Sequence, residues 1–519
     1  MTRIPARRAL LPAFVAGFLV FSIALAAAEI LNFPSVRTDL SPEQLKRVQD
    51  ITRPTADFSK AEPYEAMESG ATTTIAPVSR DIFSQPSANL DLEREENFHL
   101  GNALFRKLWV SAPSSTQASD GLGPLFNARS CQSCHIRDGR GHPPDAAGTA
   151  ATSMVLRLAR PAITPEEEQA LREFKAINFP DATYGAQLQD LAVPGLAAEG
   201  KVAVSYSEET VTLSGGEIIT LRKPHYALAD LAYGPLGETT TLSARIAPPM
   251  IGLGLIESIP EADILAHADP DDKDGDGIRG RAAIVRDHRT GELALGRFGW
   301  KAQNASVRDQ VASAFSADIG ISTPDRPDPY GDCTVKQPKC LSMPTGVQKR
   351  LGDTEAPGPI LDLVTFYSEN LAVPARRKAS FPDVLRGKDM FYQSGCPACH
   401  TPKFVTRDDL KGSDGKDKAQ AFQLIWPYSD FLLHDMGDGL SDGQPVGVAS
   451  GRDWRTPPLW GIGLTQTVSG RQAYLHDGRA HTLTEAILWH GGEAEKARNT
   501  FTNLPPDDRQ ALINFLESL

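Results

Sequence analysis

Two Cys-x-x-Cys-His pentapeptides, a helical pattern leading into each, and a segment repeated downstream of each predict a mainly α chain. The expected architecture is two cytochrome c-like haem domains, the first with an inserted small β-hairpin region. The pentapeptides are Cys131-Gln132-Ser133-Cys134-His135 and Cys396-Pro397-Ala398-Cys399-His400. In c-type attachment two thiols form thioethers to the porphyrin vinyl groups and the adjacent imidazole ligates the iron, so the macrocycle sets the spacing. Paired Cys-x-x-Cys units can also hold one tetrahedral zinc, but zinc does not require a histidine after each pair. The reading is therefore two covalently bound haem c groups. Cys131, Cys134, Cys396 and Cys399 are the attachment points, and His135 and His400 the iron ligands.

From the amino end, residues 1–28 carry Arg3, Arg7 and Arg8, an apolar stretch broken by Pro12, and the small residues Ala26, Ala27 and Ala28. This pattern predicts a cleaved signal peptide and a periplasmic protein. A membrane anchor is the alternative, but the stretch is short, no stop-transfer pattern follows, and no other segment is apolar enough for a stable span. Export suits c-type attachment, and outside the cytoplasm Cys333 and Cys340 can form a local disulfide or remain free thiols.

Residues 29–95 read as an extension wrapped on the first haem domain, with a helix over 42–51 opened by Ser41 as cap and Glu43 in its first turn. The first haem domain is assigned to residues 96–375. Leu100, Ala103, Leu104 and Leu108 give helical spacing over 98–109, ahead of the first pentapeptide. An insertion over 161–242 holds a helical piece, 165–174, and alternating stretches at 201–207 and 217–221 around Ser214-Gly215-Gly216, which predict a hairpin. Asp272-Lys273-Asp274-Gly275-Asp276-Gly277 matches the start of a calcium loop, although Ala283 stands where the last bidentate Glu would be. Calcium and a plain acidic turn both fit it. The second haem domain is assigned to residues 376–519, with a helix over 385–392 running straight into its pentapeptide.

The 519 residues carry a net charge of -12, with Lys+Arg 53 against Asp+Glu 65. Basic residues form no stripe, so nucleic acid is not an expected partner. An acidic surface can steer a basic redox protein, and solubility explains the charge equally well.

A haem iron with protein ligands on both faces has no room for substrate, so the sixth ligand decides between electron transfer and chemistry. Thr482 to Trp489 reads as a helix with Thr482 as cap, and His490 follows on the face of Leu483, Ala486 and Ile487. Arg245-Ile-Ala-Pro-Pro repeats as Arg455-Thr-Pro-Pro, and placing Trp300 on His476 brings Ser306 onto Thr482 and Ala314 onto His490. In this register one iron has His490 and the other faces a methyl group. The plainer reading of His490 is a surface helix histidine, and Met436, His434 and His476 are the rival sixth ligands, Met436 foremost because thioether ligation is common in cytochromes c.

These residues resemble the bacterial dihaem cytochrome c peroxidases and, more closely, the related dihaem oxidoreductases. The resemblance rests on Gly123-Pro-Leu-Phe-Asn-Ala-Arg-Ser-Cys131, Arg245-Ile-Ala-Pro-Pro, Gly296-Arg-Phe-Gly-Trp-Lys-Ala302, Leu432-Leu-His-Asp-Met-Gly437, Arg455-Thr-Pro-Pro-Leu-Trp460 and Tyr474-Leu-His-Asp-Gly478, and covers the chain from about residue 90 onward. It implies that Trp300 relays electrons between the haems, where packing is its plainer role. It also implies that Gln310 and Asp318 line the distal pocket, with Asp318-Ile-Gly replacing Glu-Met-Gly. There a carboxylate can move a proton between peroxide oxygens, although Asp318 can also simply cap the turn before Gly320. His490 stands where the peroxidases have a Met ligand, which lowers the expected potential of that haem and leaves the donor's identity open. His142 is the nearest counterpart of their removable distal histidine.

The resulting expectation is an enzyme that reduces hydrogen peroxide at the first haem with electrons from a second haem, itself served by a small redox protein. The alternatives are a dihaem electron-transfer or partner-binding subunit without peroxidase activity, and an oxidase of thiol or protein substrates.

Overall fold

Each pentapeptide is preceded by a helix that carries a glycine one turn before a phenylalanine. The computed structural model describes residues 33–144, 152–412 and 415–519. In it these helices are Leu92–Arg106 and Pro382–Gln393. A Cβ at Gly101 would stand 2.3 Å from the Leu363 carbonyl oxygen, and one at Gly387 only 1.8 Å from that of Ala511. Glycine thus lets each helix cross a partner at backbone contact, Gly358–Glu369 in one case and Pro506–Ser518 in the other. One turn on, Phe105 and Phe391 face His135 and His400, each at 6.2 Å between ring centroids. The first helix begins earlier than its apolar spacing shows, because Asp91 accepts the Arg94 amide at 3.0 Å and Glu93 and Glu95 occupy the first turn.

The fold class is not the expected mainly α pair of cytochrome c-like domains. The described residues are 30% helical and 16% strand, and their strands form six two-stranded sheets. Several of these ribbons have strands of two or three residues, Leu433–Asp435 against Asp453–Arg455 for example. Elements this short show no hydrophobic period and are set by long-range pairing, which is why a sequence pattern misses them. The hairpin of the insertion is longer than expected, with Lys201–Thr212 paired to Ile218–Ala229. Its tip is held down, since Arg509 donates to the Ser214 carbonyl at 2.9 Å and pairs with Glu217 at 3.0 Å.

Pro34–Leu519 forms one compact unit, and one apolar cluster runs through it from Leu156 and Trp300 to Trp454 and Phe515. The helix Pro42–Thr52 has the expected cap, with the Gln44 amide on Ser41 Oγ at 3.2 Å and the Ser41 amide returned to Gln44 Oε1 at 2.9 Å. The extension does not simply wrap the first half. Arg37 donates to the carbonyls of Val405 and Thr406, and Glu62 pairs with Lys388 and Lys403. Only its later part reaches the first pentapeptide, where Ser84 donates to Asp138 at 2.5 Å. Cys333 and Cys340 form a disulfide. The proposed signal peptide, residues 1–28, lies outside the described residues, and no described helix is long and apolar enough to cross a membrane.

Candidate functional site

A cavity partly open to solvent adjoins the first pentapeptide. Cys131, Cys134 and His135 line it together with Gln310, Ala314 and Asp318. His135 Nδ1 is 2.8 Å from the Pro248 carbonyl oxygen. A carbonyl can only accept, so the proton sits on Nδ1 and Nε2 keeps its lone pair. Burial lowers this imidazole below its ordinary value and keeps it neutral.

The opposite wall comes from the helix Val307–Ala314, whose cap Ser306 accepts the Asp309 amide at 3.1 Å. The helix runs on through a π-type turn, Phe315–Ile319, and stops at Gly320 with φ +73. A Cβ there would meet the Gly123 Cα at 2.8 Å. The Asp318 carbonyl accepts the amides of Asn127 and Ala128 at 2.9 and 3.0 Å, which ties the turn to the segment entering Cys131. Gln187, buried in the insertion, donates Nε2 to Asp318 Oδ1 at 2.9 Å and to Asn127 Oδ1 at 2.6 Å. Gln310 Oε1 accepts Asn304 Nδ2 at 2.8 Å. Trp300 lines the same cavity with its indole nitrogen on the Ile246 carbonyl at 2.8 Å. His142 does not line it, and its Nδ1 turns to the Pro143 carbonyl.

At the second pentapeptide, His400 Nδ1 is 2.8 Å from the Tyr428 carbonyl oxygen, and His490 Nδ1 is 2.8 Å from that of Ala486. Both rings therefore direct Nε2 away from backbone. Burial pushes His400 down to about 4, and the charge of the nearby His490 adds to this. The other candidate ligands are placed differently. His434 is held between Asp430 and Glu493. His476 stacks on Trp454 at 3.7 Å with an interplanar angle of 12° and meets Trp300 edge-on at 6.5 Å. Met436 is partly buried against the main apolar cluster.

The two copies align in detail. Isolated bridges join Phe298 to Asn304 and Tyr474 to Ala480 at the same spacing, and put Trp300 and His476 at matching places. Ser306 and Thr482 both cap the following helix, the Glu485 amide reaching Thr482 Oγ1 at 3.0 Å. Ala314 and His490 lie the same distance beyond these caps.

A family model described as "Di-haem oxidoreductase, putative peroxidase" matches residues 64–519. The chain belongs to the di-haem oxidoreductase family. No curated protein matches it. As a di-haem oxidoreductase it takes haem, and the first cavity fits one. Arg140 Nε and Trp460 Nε1 are buried donors without a hydrogen-bond partner, Arg245 Nη2 has only the Asp442 carboxylate at 3.8 Å, and all three residues line the cavity. Burial pulls both guanidinium groups down to about 10. Porphyrin propionates are the anions that would satisfy them. Arg245 heads a segment that the sequence repeats at Arg455, but no sequence signal marks Arg140 or Gln187 as site residues. Asp272, Asp274 and Asp276 bring carboxylate oxygens within 4.8 Å of one another. The same carboxylates accept the turn's own amides, Gly277 on Asp272 at 3.0 Å and Ile278 on Asp276 at 2.7 Å.

Proposed function

We propose that the protein is a periplasmic peroxidase. Hydrogen peroxide is reduced at a haem joined to Cys131 and Cys134, with electrons from a second haem joined to Cys396 and Cys399. A small redox protein supplies that second haem. The observation that carries this reading is the contrast between Ala314 and His490 at matching positions in the two copies. His400 and His490 would both be ligands of one iron, whereas His135 alone would hold the other.

Haem supplies the redox centre and the binding position for peroxide. The chain's own residues do the rest. His135 is fixed as a neutral imidazole by the Pro248 carbonyl. Gln187 occupies Asp318 Oδ1, so Oδ2 is the atom that takes a proton from the inner peroxide oxygen and returns it to the outer one. Gln310, steadied by Asn304, holds a hydrogen-bonding amide at the same wall. Trp300 lines the cavity and touches His476, and it relays electrons from the second half. Two electrons and two protons convert one peroxide to two waters.

Optical and electron-spin spectra of the haem-loaded protein test this reading. One low-spin haem indifferent to cyanide and one that binds cyanide, together with donor-dependent peroxide consumption, are expected. Two low-spin irons in every redox state, neither binding cyanide, would overturn it and leave an electron conduit.

A further inference from the structure

His434 has both ring nitrogens against carboxylates. Nε2 is 2.8 Å from Asp430 Oδ2, and Nδ1 is 2.7 Å from Glu493 Oε2. The side chains are 2%, 1% and 7% exposed for His434, Asp430 and Glu493, so bulk water does not share these bonds. A neutral imidazole carries one proton, and two acceptors at this range need two, so His434 is an imidazolium.

Its socket is built from several segments. Asp430 Oδ1 also accepts the Leu432 amide at 3.0 Å, and Glu493 accepts the amides of Asp435 at 3.1 Å and Arg279 at 3.0 Å. Gly280, at φ +42, lacks the Cβ that would stand 3.2 Å from His434 Cε1. From this socket His434 Nδ1 lies 3.6 Å from Cys399 Sγ.

We propose that His434 is a fixed buried cation that raises the reduction potential of the haem joined to Cys396 and Cys399. The inference rests on the two-haem reading above. Reduction of that haem takes one electron from the donor protein and carries iron from ferric to ferrous. The imidazolium beside the thioether sulfur favours the added electron, and the carboxylates of Asp430 and Glu493 paired with it oppose that effect. Histidine as sixth ligand sets a lower potential than methionine does, and the imidazolium works against that lowering. At the Cys399 sulfur burial is the largest influence, and among the charges His434 outweighs either carboxylate.

The test is a spectroelectrochemical titration of the low-spin haem in the haem-loaded wild type, H434Q and E493Q. H434Q removes the cation and is expected to lower the midpoint. E493Q removes a facing anion and is expected to raise it. Opposite shifts support the proposal, because general loosening of the socket would move both variants the same way. Shifts of one sign, or none, overturn it. Should H434Q not accumulate, E493Q decides alone, an upward shift supporting the proposal and an unchanged midpoint overturning it. Intact mass separates the two levels of argument. A wild-type chain carrying fewer than two haems overturns the two-haem reading and this inference with it, whereas two haems with wrongly signed shifts overturn this inference alone.

Discussion

The two pentapeptide sites share a leading helix, a phenylalanine beside the following histidine, and a backbone carbonyl on its Nδ1, yet they part on either side of that common frame. Three residues past His135 stands Asp138, buried and hydrogen-bonded by Ser84 and Tyr367. Three past His400 stands Lys403, buried on Glu62 and the Arg53 carbonyl. The opposing helices differ more. Leu483–Leu488 ends before His490, and Gly492, at φ +55 with the Asp435 carbonyl 2.2 Å from any added Cβ, turns the chain away. The Ala486 carbonyl is thereby left for His490 Nδ1, which fixes the ring. In the first copy the helix runs on past Ala314, so its carbonyls remain in the backbone ladder. A helix that stops offers an oriented imidazole, and one that continues offers a wall.

The largest test of this contrast is C131S with C134S, which is expected to cost one haem per chain by intact mass and to abolish cyanide binding while the low-spin haem persists. D318N removes the proton acceptor and is expected to slow peroxide reduction by roughly 10²–10⁴-fold with cyanide still bound. Stopped-flow turnover checks it, and an unchanged rate would put the proton elsewhere. A314H places an imidazole opposite His135 without a free carbonyl to orient it. Cyanide affinity should fall and a low-spin fraction should appear, while an unchanged spectrum would count against the register.

The smallest effect concerns Asp138. Burial raises its carboxyl to about 6, against the opposing hydrogen bonds from Ser84 and Tyr367. A carboxyl whose folded value exceeds its unfolded value, about 3.9, lends stability that is full below the latter and is lost as pH rises through about 6. Thermal midpoints of the wild type should therefore fall relative to D138N between about pH 4 and 6, and parallel curves would count against this account.

What was legible in the sequence was local. The pentapeptides, the Ser41 and Thr482 caps, the leading helices and the hairpin all depend on neighbours a few residues apart. The equivalence of Ala314 and His490 could also be read, because duplication preserved the spacing on both sides. The short ribbons could not, since strands of two or three residues carry no period of their own, and the docking of the extension could not, since it pairs residues hundreds of positions apart. Gln187 illustrates the same limit, for only folding brings an amide from the insertion to Asp318. His434 was visible as a candidate ligand, but Asp430 and Glu493, which occupy its nitrogens, come from different segments.

The clasp around Arg376 bears on how the chain is assembled. Its guanidinium pairs with Glu65 near the beginning of the chain and donates to Ser518 Oγ at 3.0 Å, while the adjacent Arg377 donates to the Leu519 carbonyl at 2.8 Å. The strap that carries Glu65 and the segment that ends at Leu519 thus lock onto the same pair of arginines. Loss of the Arg376 guanidinium would release both at once, and with them the Glu62 contacts to Lys388 and Lys403 on either side of the second pentapeptide.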